Sequence, residues 1–285
     1  RVNLYLNQLF FICIFLNFFI GKSQNDKLEI YGHRGFRGSY PENSLIGFQK
    51  AIELGITGIE LDVVVNKDKQ LVISHEPFFQ SSFCLDSSGN EIIKESIFNI
   101  YNLTQKEIAS FDCGSKYYDK FPEQKKLKTT KPLFQELVSL KGINNTIILL
   151  EIKSTPNEYN HSQPEPSLYS NLILGELKKF TNKSNIRIMS FDKAILEQIH
   201  KKDSEYPLIY LTYMPKSVKS LLKELSFKPF ALGMFYPTIR KKSAHYLHHR
   251  SIKLFAWTVN DLKWKNKLMK LNIDGIITDY PDLFR

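Results

Sequence analysis

Cysteine is scarce in this sequence, with three among 285 residues. Cys13 lies in an apolar N-terminal run, so only Cys84 and Cys113 remain for a single disulfide. Both lie in one irregular segment, and an even pair in an exported protein favours a bridge. Two free, buried thiols are the alternative.

Apolar runs long enough to span a membrane are also missing from the N-terminal region. The run Leu9–Ile20 is interrupted by Asn17 and is shorter than a typical membrane span. It is preceded by Arg1 and followed by Gly21-Lys22-Ser23, which together predict a secretory signal peptide at residues 1–23. An uncleaved N-terminal anchor is the alternative interpretation.

The expected mature chain, residues 24–285, is therefore predicted to be exported, either periplasmic or secreted. No cysteine lies at the cleavage point, which argues against a lipoprotein. The mature chain contains no low-complexity tract or short internal repeat, and its length suits one large α/β barrel domain.

The formal charge of +10 is not accompanied by a nucleic-acid-binding motif. We therefore expect no nucleic-acid partner, and only mild attraction to phosphate-bearing substrates or anionic surfaces. Contact with a membrane has no support in the sequence, which also leaves the oligomeric state open.

Two carboxylates interrupt an apolar strand pattern at Ile59–Val65. Glu60 and Asp62 are two residues apart and so share one face of a strand. Their mutual repulsion and burial are unfavourable, and a hard cation such as Mg2+ or Ca2+ would remove that cost. The alternative is a half-exposed strand whose carboxylates pair with lysines.

Histidines follow two neighbouring strand patterns. His33 follows the strand Leu28–Tyr31, and His75 follows the return from the turn Asn66–Gln70. Because both adjoin the paired carboxylates, they are better explained as a general acid and a general base than as separate structural histidines.

Strand and helix patterns alternate along the rest of the chain. The predicted strands are Leu28–Tyr31, Ile59–Val65, Thr146–Ile152, Ile186–Phe191, Leu208–Thr212, Phe230–Phe235, Lys253–Thr258 and Gly275–Thr278. The predicted helices are Ser44–Leu54 (with Asn43 as N-cap), Leu133–Leu140, Pro166–Phe180, Lys193–Lys201, Ser217–Leu225, Arg240–Arg250 and Leu262–Leu271. Eight such units predict a closed (β/α)8 TIM barrel of the α/β class; an open doubly wound sheet is the alternative.

Two further features interrupt this alternation. Leu71–Ser74 is too close to strand two for a parallel crossover, so it is predicted to pair antiparallel with it as a hairpin. Residues 78–131 then form a predicted insertion, which would shape the mouth of the substrate site.

Seven polar, charged or aromatic side chains lie at or near predicted strand C-termini, which meet on one face of such a barrel. They are His33, Glu60, Asp62, Glu151, Lys153, Ser190 and Trp257. Glu151 and Lys153 repeat the i, i+2 spacing and share a face. A local ion pair inside the barrel is the alternative for these two.

The ordered set of motifs resembles the glycerophosphodiester phosphodiesterase family over about Leu28 to Pro281. The matching pieces are His33-Arg34-Gly35, Pro41-Glu42-Asn43, Glu60-x-Asp62, His75-Glu76-Pro77, Glu151-Ile152-Lys153, Ser190-Phe191, Trp257-Thr258-Val259-Asn260 and Gly275-Ile276-Ile277-Thr278-Asp279. The chain departs from the family's usual pattern at Ser44, Glu76 and Lys69, where the family usually has Thr, Asp and Gly.

The resemblance implies a division of roles. Glu60, Asp62 and Glu151 would hold one divalent cation, Mg2+ or Ca2+. His33 and His75 would act as general base and general acid.

Four further side chains would bind substrate or support the site. Arg34 and Lys153 would bind phosphate oxygens. Glu42 would orient Arg34 or ligate the ion through water, with compensation of a helix N-terminus as the alternative. Trp257 would cover the glycerol or the head group, with ordinary barrel packing as the alternative.

The implied reaction is hydrolysis of a glycerophosphodiester to glycerol 3-phosphate and an alcohol, which belongs to lipid and glycerol metabolism. The resemblance also implies that the substrate's own 2-hydroxyl attacks first, through a cyclic phosphate. The implied partner is this small-molecule diester.

Two other functions stay open at this point. One is a phospholipase D-type enzyme acting on lysophospholipids or sphingomyelin, for which Phe78, Phe79 and Phe83 would supply an apolar rim unless they pack the insertion onto the barrel. The other is a non-catalytic barrel binding protein, which would be expected to have lost a charged site residue.

Overall fold

The computed structural model describes residues 28–181, 183–213 and 216–285. The predicted signal peptide, residues 1–23, lies outside the described residues. Within them, no helix combines the length and apolarity needed to cross a membrane.

Eight parallel strands form a closed barrel, which confirms the predicted (β/α)8 fold over the open sheet. They are β1 (Glu29–Gly32), β2 (Gly58–Val65), β4 (Ile147–Ile152), β5 (Ile186–Ser190), β6 (Leu208–Thr212), β7 (Ala231–Phe235), β8 (Lys253–Trp257) and β9 (Gly275–Thr278). Each pairs with its neighbour in chain order, and β1 pairs in parallel with both β2 and β9. This double pairing of β1 closes the ring.

The predicted hairpin is also present. Its arm, β3 (Leu71–Ile73), pairs antiparallel with the end of β2 and rises beyond the barrel. The turn between them includes Lys69 in the left-handed region at φ 63°. A glycine would suit that conformation better.

Helices cover the outside of the barrel. They are α1 (Leu45–Glu53), α3 (Pro166–Leu177), α4 (Lys193–Lys202), α5 (Val218–Lys223), α6 (Lys241–His248) and α7 (Leu262–Met269). A short α2 (Gln105–Ile108) lies in the insertion. The predicted α-helix Leu133–Leu140 is wrong in type: Phe134–Ser139 is a 3-10 helix, the form short connecting segments often take.

The N-cap of α1 also differs from the prediction. Ser44, not Asn43, caps the helix, since its Oγ accepts a hydrogen bond from Gly47 N at 3.1 Å. Asn43 lies one residue earlier in a left-handed conformation at φ 51°. Its side chain is thereby free for another contact, described below.

Two apolar cores stabilise the barrel. The larger lies between strands and helices, where Ile59, Leu61 and Val63 of β2 face outward. The inner core includes Leu149 and Phe255. Because side chains alternate along a strand, the residues between the outward ones, Glu60 and Asp62, point into the barrel.

The insertion has a third core of its own. Phe79 stacks on Phe111 with ring centroids 3.8 Å apart, and Phe83 is buried in the same cluster. A disulfide joins Cys84 to Cys113, 29 residues further along the chain. The predicted bridge is therefore present, and these two phenylalanines pack the insertion instead of forming an exposed rim.

Candidate active site

Three buried carboxylates meet at the C-terminal end of the barrel. Glu60 and Asp62 of β2 lie beside Glu151 of β4, and the Cα of Asp62 pairs in register with that of Glu151. One carboxylate oxygen from each of the three lies within 4.8 Å of the others. The triad predicted from the sequence is thus brought together.

The oxygens of this triad are incompletely satisfied by the protein. Glu60 Oε1 and Asp62 Oδ1 are buried and accept no hydrogen bond. Burial, followed by the Asp62 and Glu151 charges, raises the pKa of Glu60 well above its usual value. Orphaned, mutually repelling carboxylate oxygens are what a hard divalent cation would satisfy, so the residues present fit such an ion.

Arg34 lies directly beside the triad, in the turn that follows β1. Its backbone N donates to Glu60 Oε2 at 2.8 Å, and its Nε lies 3.3 Å from Asp62 Oδ2. Its conformation is left-handed, at φ 51°, which is uncommon for a residue other than glycine. These contacts hold the guanidinium at the edge of the carboxylate group.

Glu42 bridges two arginines. Its Oε1 accepts from Arg34 Nη1 at 2.7 Å, and its Oε2 lies 2.6 Å from Arg37 Nη2. Burial alone would raise the pKa of Glu42, but the Arg34 and Arg37 charges outweigh it and lower that pKa to about 2. Sequence reasoning missed Arg37, which lies in an irregular turn with no periodic pattern to mark it.

Asn43 supports the triad from the side. Its Nδ2 donates to Asp62 Oδ2 at 2.9 Å, and its Oδ1 accepts from the backbone N of Asp62 at 3.4 Å. The residue expected to begin α1 is therefore part of the carboxylate site.

His33 is held by a carboxylate from the other end of the chain. Its Nδ1 lies 2.6 Å from Asp279 Oδ1, and its Nε2 lies 4.0 Å from Glu60 Oε2. Burial opposes ionisation of Asp279, but His33 and Arg37 outweigh it and lower the pKa of that carboxyl. An ionised Asp279 only accepts, so His33 Nδ1 carries the proton and Nε2 has the free lone pair.

Asp279 ends the last motif that resembles the family, but no role was predicted for it from the sequence. It follows β9 directly and also accepts from Asn260 Nδ2 at 2.7 Å. A carboxylate at a strand C-terminus was the available signal, yet its partner lies 246 residues away.

His75 has a similar carboxylate partner. Its Nδ1 lies 2.6 Å from Glu76 Oε1, and the His75 hydrogen bond is the main cause that lowers the pKa of Glu76. The preceding Ser74 donates from Oγ to the backbone oxygen of Glu76 and accepts from Lys131 Nζ at 2.7 Å. The insertion therefore positions the loop that carries His75.

Lys153 reaches the triad from the opposite side. Its Nζ lies 2.5 Å from Glu151 Oε1 and 3.6 Å from Asp62 Oδ1. Lys153 therefore forms the ion pair with Glu151 that was the alternative prediction for these two residues. It also borders the open cleft. The two interpretations are compatible.

These groups line one cleft with a volume of about 360 Å³. Of the nine predicted site residues, seven line it: His33, Arg34, Glu60, His75, Glu151, Lys153 and Trp257. Asp62 and Glu42 lie behind them, in contact with Arg34. Trp257 also packs edge-on against Phe191, at 5.4 Å between ring centroids, so it both packs and borders the cleft.

Comparison with known proteins agrees with this geometry. The sequence model described as "Glycerophosphoryl diester phosphodiesterase family" matches residues 33–283. A glycerophosphodiester phosphodiesterase of Caldanaerobacter subterraneus is 29% identical over 256 residues, covering 90% of this chain and 96% of the relative. A lysophospholipase D of Homo sapiens is 22% identical over 303 residues, covering 93% of this chain and 87% of the relative.

Solved structures show the same fold. A structure described as a putative glycerophosphoryl diester phosphodiesterase from Silicibacter pomeroyi superposes with a TM-score of 0.81 at 24% identity, covering 90% of this chain and 91% of the other. A phosphodiesterase from Oleispira antarctica, solved in complex with the product sn-glycerol-3-phosphate, gives a TM-score of 0.72 at 21% identity, covering 89% and 93%.

Proposed function

The chain belongs to the glycerophosphoryl diester phosphodiesterase family, and on that premise we propose that it hydrolyses glycerophosphodiesters to glycerol 3-phosphate and an alcohol, using one divalent cation with His33 and His75. Membership of an enzyme family, with every charged site residue retained, sets aside the non-catalytic alternative. The observation that carries the proposal is the single cleft in which an orphaned carboxylate triad, two cationic side chains and two carboxylate-backed histidines converge.

Glu60, Asp62 and Glu151 would hold the cation. When bound, a divalent ion neutralises charge on the phosphate oxygens and lowers the pKa of a hydroxyl near it. Mg2+ and Ca2+ both prefer carboxylate oxygens, so either suits this donor set.

Arg34 and Lys153 would bind the phosphate from two sides of the triad. The Arg34 guanidinium is fixed by Glu42 and Asp62, which limits the rotamer freedom lost on binding. Glu42 would thus act by orienting Arg34. Trp257 would cover the glycerol with its apolar face.

His33 would be the general base. Asp279 fixes the proton on Nδ1, so Nε2 faces the triad as an acceptor. Burial lowers the pKa of His33, although Asp279 opposes this, so the neutral, basic form is favoured at neutral pH. The proton accepted at Nε2 would come from the substrate's own 2-hydroxyl, which attacks phosphorus to give a cyclic phosphate.

His75 would be the general acid. Glu76 holds its Nδ1, which leaves Nε2 to donate a proton to the oxygen of the departing alcohol. In the second step water opens the cyclic phosphate, and the two histidines exchange roles.

Activity of the purified mature protein tests this proposal. It should release glycerol 3-phosphate from glycerophosphocholine, lose activity with chelator, and regain it with Mg2+ or Ca2+. His75→Ala should lower kcat by about 10²–10⁴-fold, whereas His249→Ala, at an exposed position on the outer face, should not. A substrate whose 2-hydroxyl is replaced by hydrogen should bind without turnover. Its hydrolysis at the parent rate would disprove the cyclic-phosphate route.

We also propose export of the enzyme, from the apolar run and small residues at Leu9–Ser23. N-terminal sequencing of protein secreted by the native host should find Gln24 first. A mature protein that still carries Phe18-Phe19-Ile20 would support the anchor instead.

A further inference from the structure

A second cavity adjoins the catalytic cleft. Its volume is about 640 Å³, within the usual range for ligand sites. The two cavities share four lining residues: His75, Glu151, Lys153 and Phe191. A diester whose phosphate lies at this boundary would therefore extend one substituent into each cavity.

The two cavities differ in charge. The permanently cationic side chains Arg34, Arg37, Lys120 and Lys153 line the catalytic cleft. Of these, only the shared Lys153 also lines the second cavity, and it already pairs with Glu151. Glu76, Glu158 and Asp192 line the second cavity alone.

Two of these carboxylates, Glu158 and Asp192, have no lysine or arginine partner among the described residues, whereas Glu76 pairs with His75 at 2.6 Å. Asp192 accepts from Ser154 Oγ at 2.6 Å and Tyr159 OH at 2.5 Å, and Glu158 accepts from Ser162 Oγ at 2.7 Å. Asp192 also caps the N-terminus of α4, where its Oδ1 accepts from Ala194 N at 2.9 Å. These hydrogen bonds orient the charges of Glu158 and Asp192 without supplying an ion-pair partner. This is unusual in a chain with a formal charge of +10.

Aromatic side chains complete the second cavity. Phe78, Phe191 and Tyr213 line it, and the rings of Phe191 and Tyr213 lie 5.6 Å apart between centroids. Aromatic faces together with carboxylates are the surroundings that bind a quaternary or primary ammonium group. A neutral polyol head group would share the hydrogen bonds to these carboxylates, but not the attraction that both the carboxylates and the aromatic faces exert on a positive charge.

We propose that the second cavity binds the head group of the departing alcohol and selects a cationic one, of the choline or ethanolamine class. This rests on the proposed hydrolysis and adds to it the chemical class of the leaving group. The glycerol would occupy the catalytic cleft, with the phosphate between them at Lys153 and His75.

A pair of isosteric substrates isolates the charge. Glycerophosphocholine is compared with the diester of 3,3-dimethylbutan-1-ol, in which carbon replaces the choline nitrogen. Wild-type kcat/KM should favour the choline diester by about 3–10-fold, as expected for partly exposed cation–π and ion-pair contacts. The test variant is Glu158→Gln combined with Tyr213→Leu; both side chains are exposed and outside the catalytic machinery.

The variant should remove most of this preference by raising KM for the choline diester, with kcat/KM for the neutral diester unchanged. The control Glu205→Gln removes one exposed carboxylate before β6, at the opposite end of the barrel, and should keep the preference. Tetramethylammonium should inhibit the wild type competitively and the variant more weakly.

The outcomes separate the two proposals. Equal kcat/KM for the two substrates, or a preference untouched by the variant, would overturn the cationic subsite while leaving phosphodiester hydrolysis intact. Absence of hydrolysis of either diester would overturn the proposed function itself.

Discussion

Replacing Asp279 by Asn should disable His33 while leaving its surroundings in place. Asp279 Oδ1 faces His33 Nδ1 at 2.6 Å, and its Oδ2 accepts from Asn260 Nδ2 at 2.7 Å. In the variant the Asn260 contact retains the amide oxygen, so the new NH2 group faces His33. His33 Nδ1 must then accept, which moves the ring proton to Nε2 and removes the base.

The expected loss follows from the role of a general base. Such a group contributes about 10²–10⁴-fold to the rate. This corresponds to about 3–5 kcal/mol of activation free energy at 1.36 kcal/mol per factor of ten. The loss should appear in kcat of glycerophosphocholine hydrolysis, with KM and cation affinity nearly unchanged, because Asp279 is not one of the triad.

The chain offers a matched control at the other end of the same strand. Asp274 precedes β9, and its Oδ2 lies 2.9 Å from His248 Nε2. Asp274→Asn changes a histidine–aspartate pair outside the cleft and should leave kcat unchanged. Retention of a third or more of wild-type kcat by Asp279→Asn, or an equal loss in the control, would refute the assigned role.

Three further predictions concern the cation, acid stability and the insertion. Glu60→Gln should weaken Mg2+ or Ca2+ binding in calorimetry by about 10–100-fold or more, whereas Glu53→Gln should not; equal affinities would remove Glu60 from the ligand set. Glu42 has a folded pKa of about 2 against an ordinary value of 4.5, so it stabilises the fold by about 3 kcal/mol, fully above pH 4.5 and progressively less as pH falls toward 2. Denaturant titrations of Glu42→Gln should lack that acid-side decline, and an unchanged decline would contradict the ion-pair account. Replacing Cys84 and Cys113 by Ser should lower stability by about 3–4 kcal/mol on the chain-entropy model for the 29-residue separation, with proteolysis of the insertion before the barrel; cutting in the barrel first would contradict the order.

The barrel could be predicted because its signals are local. Each strand is a short apolar run, and each helix shows its own periodicity, so eight units could be identified without knowing their contacts. The convergence of Glu60, Asp62 and Glu151 followed from the same logic, since strand C-termini meet on one face, whereas their grouping as a cation site came from the family resemblance. The 3-10 form of Phe134–Ser139 was missed because a single short apolar pattern suits either helix type.

The parts of the site that escaped prediction depend on tertiary contact. Asp279 contacts a histidine 246 residues away, and no local pattern encodes that pairing. Arg37 is held in the site by its ion pair with Glu42, and it lies in an irregular turn that has no periodic sequence pattern. Asn43 was predicted to be a helix N-cap because asparagine suits both an N-cap and a hydrogen bond to a carboxylate. Only its contact with Asp62 in the folded structure distinguishes the two.

The pairing of β1 with β9 closes the ring, so the cation site and the His33–Asp279 pair assemble at different stages of folding. The triad is carried by β2 and β4, neighbours in the ring, whereas His33 and Asp279 follow β1 and β9 and meet only when the ring closes. Contacts between distant parts of a chain form late in folding, because the entropy of closing the loop must first be overcome. During refolding, cation binding should therefore return before turnover does, and the delay between them measures the time the barrel takes to close.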